Sequence, residues 1–260
     1  MDRRDLLTGR FKGNDLDLGL PNDSLYAYAK LLGSSNTGMV HYCLEGTIFA
    51  YLPTGAIPLI GFQTILKHVW KSLDHQTCSY DSYESGFFHN LDTVEPINVF
   101  QNPVTKENNL LSEIRGGPYK KEMSADQINW EISGDDIWIQ EPNTRKGNFG
   151  ASESGNEKIE FAFANSIFRG KLSEVNDSSS IAPAVMTYNF VSPWYPFFQM
   201  ENIEGKMYWQ AVGTKIQSWS NVPESMKKFL VGKKDNFFQS EKPWRSRTST
   251  LQYYRDSLEK

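Results

Sequence analysis

Two cysteines, Cys43 and Cys78, are all that 260 residues contain. They form no CxxC spacing, so neither a disulfide framework nor a thiolate zinc site is expected, and both read as reduced core residues. The four histidines, His41, His68, His75 and His89, fall in the first third of the chain without an HExxH or His-x-His arrangement. No metal site is therefore expected. No GxGxxG, P-loop or GxSxG segment occurs, which removes the usual nucleotide-cofactor signatures and the nucleophile elbow of a serine hydrolase. No cofactor is expected. An 18-residue apolar run is also missing, which excludes a transmembrane helix by the hydropathy rule. Arg3-Arg4 resembles the start of a twin-arginine signal, but Thr8–Gly13 supplies no apolar segment behind it, so the expected compartment is the cytoplasm. The formal charge is −4 from 27 basic and 31 acidic residues, with no basic stripe. Neither nucleic acid nor an anionic membrane surface is an expected partner.

Aromatic residues are plentiful: 16 Phe, 12 Tyr and 7 Trp. Concentrating apolar volume in rings is a habit of β-rich folds. The densest group is Ser192-Pro193-Trp194-Tyr195-Pro196-Phe197-Phe198-Gln199-Met200. Two prolines fix φ and cannot donate to a sheet ladder, so this run is a stiff loop. Its rings suit either a plug that closes a core or the wall of an apolar pocket.

Residues 39–52 and 76–91 alternate in polarity and read as strands, with a bend at Gly46 and room for a bulge at Gly86. Shorter strands are expected at 96–101, 109–115, 127–133, 135–141, 158–169, 184–191 and 205–217. A helix is expected over 23–33, from a capping Asp23 to a glycine stop at Gly33. Phe62, Ile65, Leu66, Val69, Trp70 and Leu73 recur at helical spacing, which predicts an amphipathic helix over 61–73 joining two antiparallel neighbours. Two last helices, from Asn221 and over 248–259, are expected to pack outside the sheet. The polar stretches 143–158 and 173–180 read as exposed loops.

The result is one α+β, β-rich domain: an antiparallel barrel or strongly curved sheet with flanking helices. Residues 1–36 form an arm and helix, 37–220 the core and 221–260 the C-terminal helices.

An ordered series of segments resembles the bacterial and fungal family catalogued as domain of unknown function 1838. The series runs Glu84, Leu91-Asp92-Thr93, Asn102-Pro103-Val104-Thr105, Gly116-Gly117-Pro118, Ser133-Gly134-Asp135, Pro193-Trp194-Tyr195-Pro196-Phe197 with Met200, Gly205, Gly213-Thr214-Lys215 and Pro243-Trp244. It covers roughly residues 40 to 257. The chain departs from the family at His89-Asn90-Leu91-Asp92 and at Phe197, which implies a differently shaped pocket. The resemblance brings no activity with it.

Glu84 stands among Tyr80, Tyr83, Phe87 and Phe88 and is the acidic residue that the resemblance carries. It is the first candidate for a general acid or base. His89 is its candidate partner if a bulge at Gly86 brings both to one face. His41 and Glu45 share a strand face and would line a barrel interior if that face points inward; the competing reading puts them outside, with Val40, Tyr42 and Leu44 as core. Trp194, Tyr195 and Phe198 form the expected apolar wall, and Lys215 could neutralise a carboxylate or phenolate ligand. His68 and His75 read as surface residues.

These residues support a cofactor-independent enzyme, a lyase, isomerase or hydrolase, acting by acid–base chemistry on a hydrophobic or aromatic carbonyl compound. A lipocalin-like carrier of a similar small molecule is the alternative, and a module whose aromatic loop meets another protein is a third. Self-association as a homodimer is left open.

Overall fold

The computed structural model describes residues 16–74, 76–147, 160–233 and 236–258. Helix α1 (Pro21–Leu32) precedes three long strands, β1 (Gly38–Leu52), β2 (Gly55–Leu73) and β3 (Thr77–His89). A small ribbon of β4 (Val99–Gln101) and β5 (Asn108–Leu110) leads to β6 (Ile114–Ser124), β7 (Trp130–Ser133), β8 (Asp136–Gly147) and β9 (Glu160–Lys171). Then follow α2 (Leu172–Asn176), β10 (Val185–Ser192), β11 (Lys206–Ile216), α3 (Glu224–Val231) and α4 (Thr250–Leu258). Nine strands make one antiparallel sheet in the order β6-β3-β2-β1-β11-β10-β9-β8-β7, curled into a half-barrel. No helix among the described residues is long and apolar enough to cross a membrane.

Close strand approach accompanies the curl. A Cβ at Gly46 would lie 2.1 Å from the Gln210 carbonyl, and one at Gly86 would lie 2.3 Å from that of Gln63. Only glycine fits where neighbouring backbones come so near.

The amphipathic helix expected over 61–73 is instead the second half of β2. This strand is covered on both faces: Phe62, Leu66 and Trp70 join the large core inside the curl, and Ile65 and Val69 a smaller one outside it. A strand buried on both sides loses the period-two signal, and its apolar residues can then fall at helical spacing. The pairing changes with it. β2 lies between β1 and β3, so these two are not neighbours. β6 was also not foreseen as one strand, because Gly116-Gly117-Pro118 reads as a turn; it runs along the edge of the sheet, where a proline costs no ladder bond.

The outer core is covered by α3 through Met226 and Leu230, and by Phe237 in the segment that follows. Lys67 is fully buried beneath this cover and donates to the Phe237 carbonyl and, at 2.6 Å, to that of Ser240. Helix α4 packs on the inner side, contrary to the outside position expected of it: Leu251 faces the cavity described below, and Tyr254 meets Phe197 edge-on. Cys43 and Cys78 are free and belong to opposite cores.

Helix α1 is buried over nine consecutive residues at one end of the half-barrel. Its last turn would leave four carbonyls unpaired. Lys215 Nζ donates to Lys30 O at 2.9 Å and Gly33 O at 3.2 Å, Tyr42 Oη to Leu31 O at 3.0 Å, and His68 Nδ1 to Leu32 O at 3.3 Å. Three strands thus complete one helix.

Candidate functional site

Along β1, β2 and β3 the even-numbered side chains point into the curl, and together with β6, β8, β9 and β10 they enclose a cavity of about 1110 Å³. That is slightly more than the usual span of ligand pockets, about 300–1,000 Å³. Leu44, Phe62, Leu66, Phe168 and Met186 supply apolar lining. A strap, residues 244–250, crosses one side, held by Gly117 and Thr248, which exchange backbone hydrogen bonds of 3.1 and 2.9 Å.

Glu84 lines this cavity. It stands opposite Leu66 on β2 and opposite Gly116 on β6. Beside it, Ser82 pairs with Tyr119, so β6 carries one extra residue over the interval 116–119. Such a bulge re-aims the next side chain. The lack of a Cβ at Gly116 leaves the room: one there would come within 3.1 Å of the Tyr119 ring. Burial raises the Glu84 carboxyl above its ordinary value, against the pull of the Arg145 cation and a hydrogen bond from Thr64.

Arg145, from β8, lines the same cavity. Burial works against its cation, but Tyr188, Tyr119, Tyr195 and Glu84 around it outweigh that effect, so the guanidinium stays charged. Its Cζ lies 5.4 Å from the centre of the Tyr119 ring. The hydroxyls of Tyr188 and Tyr195 are raised by burial, partly offset by Arg145, and remain protonated donors at neutral pH. A half-buried carboxyl, a cation and three phenols therefore face one space. That combination can move a proton and stabilise an oxyanion.

A second carboxylate, Glu141, lines the cavity nearer α1. It accepts a hydrogen bond from Tyr28 Oη and stands 3.5 Å from Lys121 Nζ. Its partners make it a structural acid.

Of the residues singled out from the sequence, Glu84 and Tyr195 line the cavity. His89 does not. Strict alternation along β3 persists through Gly86, so His89 lies across from Gly61 on the outer face, its ring 2.2 Å from where a Gly61 Cβ would sit. His41 is also on the outer face, paired with Lys67 and stacked on Phe238 at 4.1 Å between centroids. Glu45 is exposed there and accepts from Gln63 Nε2 at 3.2 Å. For this pair the outer-face reading holds, and Val40, Tyr42 and Leu44 are core. Lys215 faces inward but is spent on α1 and the Ala182 carbonyl, with burial pushing it down to about 7. Trp194 and Phe198 are buried plug residues away from the cavity lining: Trp194 Nε1 donates to Ile203 O at 2.8 Å, and Asn102 Nδ2 to Phe198 O at 2.8 Å.

His68, expected on the surface, is buried against the cavity, because the segment that carries it is a strand covered on both faces rather than a helix. His75 lies outside the described residues. Arg145, Tyr119 and Tyr188 carried no sequence signal: the first lies in the stretch 143–158 read as loop, whose start is in fact the end of β8, the second follows a glycine-glycine-proline turn, and the third is one tyrosine in a short strand. Among the described residues, no three His, Cys, Asp or Glu side chains group as a metal site requires.

Burial pulls both His41 and His68 down to about 3. Between that value and 6.5 the unfolded chain binds more protons than the native one, so stability rises with pH across this window and is lost on acidification. Each histidine contributes a slope of up to about 1.4 kcal/mol per pH unit. Glu84, with its raised value, acts in the opposite sense, one group against two. Urea midpoints should fall from pH 6.5 to 4, and less steeply in His41→Gln; a flat profile in the wild type would contradict the buried neutral histidines.

Fold and cavity together define an antiparallel half-barrel protein whose curl holds a cavity lined by charged and aromatic side chains. Residues 38–258 match the family described as "Protein of unknown function (DUF1838)", and the chain belongs to it. Comparison with curated proteins finds no match.

Proposed function

We propose that this protein is a cofactor-independent enzyme that abstracts a proton next to the carbonyl of an apolar or aromatic small molecule, the first step of an isomerase or lyase reaction. The observation that carries this reading is the raised carboxyl of Glu84 inside the cavity, facing the Arg145 cation and three tyrosines. A base with a value moved toward neutrality accepts a proton more readily than an ordinary carboxylate. The oxyanion that forms as the proton leaves needs donors already in place. Tyr188 and Tyr195, which line the cavity with Arg145, would take that role, and the Arg145 charge would stabilise the same anion. Leu44, Phe62 and Phe168 would hold the apolar body.

A lipocalin-like carrier needs only an apolar cavity. The charged lining favours the enzyme.

The test needs no knowledge of the product. Aryl ketones, β-keto esters and β-keto acids are incubated with the protein in D2O, and loss of the α-proton is followed by ¹H NMR. Exchange above the buffer rate is expected for at least one class. Buffer-rate exchange throughout would overturn the reading.

A further inference from the structure

The cavity lining contrasts with the chain around it. The whole sequence carries a net charge of −4. Five cations nevertheless line this one cavity, Lys120, Lys121, Arg145, Arg245 and Arg247, against two carboxylates, Glu84 and Glu141. Lys121 and Glu141 attend to each other. No carboxylate among the described residues lies within ion-pair distance of Arg145, Arg245 or Arg247. Two of these guanidiniums share a neighbourhood, since Arg145 Cζ and Arg247 Cζ each stand 5.4 Å from the centre of the Tyr119 ring. Tyr119 Oη donates to Thr248 O at 3.1 Å, and Trp244 Nε1 to Gly117 O at 2.8 Å. The strap that bears Arg245 and Arg247 is thereby pinned on both sides of the arginines.

From this juxtaposition we infer that the substrate carries a carboxylate, held by Arg247 and Arg145 beside the Tyr119 ring, while Glu84 works on the carbon next to its carbonyl. The inference rests on the acid–base reading of the same cavity and adds the substrate's charge. A planar guanidinium binds carboxylate through two parallel hydrogen bonds, and stacking on a phenol ring leaves its edge free to do so. Cations that outnumber the carboxylates of a cleft also draw in an anion from solution. A carboxylate suits the site better than a phosphate ester, because Glu84 beside Arg145 repels a dianion more strongly than a monoanion.

Binding and turnover are separable in the test. Benzoate, 4-hydroxybenzoate, cinnamate and 2-naphthoate are each compared with the matching carboxamide by saturation-transfer NMR and calorimetric titration, on wild type, Arg247→Gln, Arg247→Lys and Glu84→Gln. At least one acid is expected to bind about 10-fold or more tightly than its amide. Arg247→Gln should abolish that preference, Arg247→Lys should keep part of it, and added salt should weaken it. Glu84→Gln should retain it, even if the proton-transfer reading fails in D2O. If no acid binds better than its amide, non-binding by both included, the inference is overturned. The same follows if Arg247→Gln leaves the preference intact, or if phenyl phosphate binds more tightly than benzoate.

Discussion

Glu84→Gln is expected to lower proton-exchange turnover by about 10²–10⁴-fold, the usual contribution of a positioned general base. The amide keeps the size of the carboxyl and the ability to accept from Thr64, so the loss isolates titration from packing. The pH dependence carries its own sign. The base must be ionised to act, so the wild-type rate should rise with pH through a value above the ordinary 4.5 of a glutamate, because burial holds the proton on. Stability runs the other way. Over the window between 4.5 and the raised native value, the folded protein holds a proton that the unfolded chain has released, and stability falls as pH rises. Glu84→Gln removes that slope. A variant with wild-type turnover would reduce Glu84 to a residue that fixes strand register.

Trp194→Ala should cost about 3–5 kcal/mol of stability, as expected when a buried large ring is truncated and the site cannot collapse. The indole is only 6% exposed, and its Nε1 is bonded to Ile203 O at 2.8 Å. Its neighbour Gly205 leaves no slack, since a Cβ there would lie 2.8 Å from the ring. Because Trp194 does not line the cavity, affinity for the carboxylate probes should be unchanged in whatever fraction remains folded. Urea denaturation reads the first effect and calorimetry the second. A loss below about 1 kcal/mol would mean that the loop is held elsewhere.

What could be read from the sequence depended on whether a segment met water. β1 and β3 alternate, and β10 and β11 are bounded by turn residues, so they were legible to within a residue or two. β2 was not, because a strand with apolar cover on both sides has no polar face to mark its period. The aromatic loop was legible as stiff and buried from its two prolines, but not as plug rather than wall, since only Tyr195 of its rings reaches the cavity. In the site, Glu84 stood out because one acid among rings is conspicuous. Arg145 and Tyr119 were hidden by their own neighbours, polar residues in one case and a bulge in the other. His41 and Glu45 illustrate the remaining limit: alternation tells which residues share a face, never which face the cavity takes.

The carbonyls at the end of α1 impose an order on folding. The helix is near the start of the chain, yet the ammonium that satisfies Lys30 O lies 185 residues further on. Twelve residues alone make a marginal helix in water. During synthesis the segment therefore leaves the ribosome long before it has any reason to stay helical. Its last turn is complete only after β11 has docked beside β1 and brought Lys215 to it, a closure that comes late because so much chain must first be arranged. The last turn of this early helix is thus among the last parts of the described fold to become fixed.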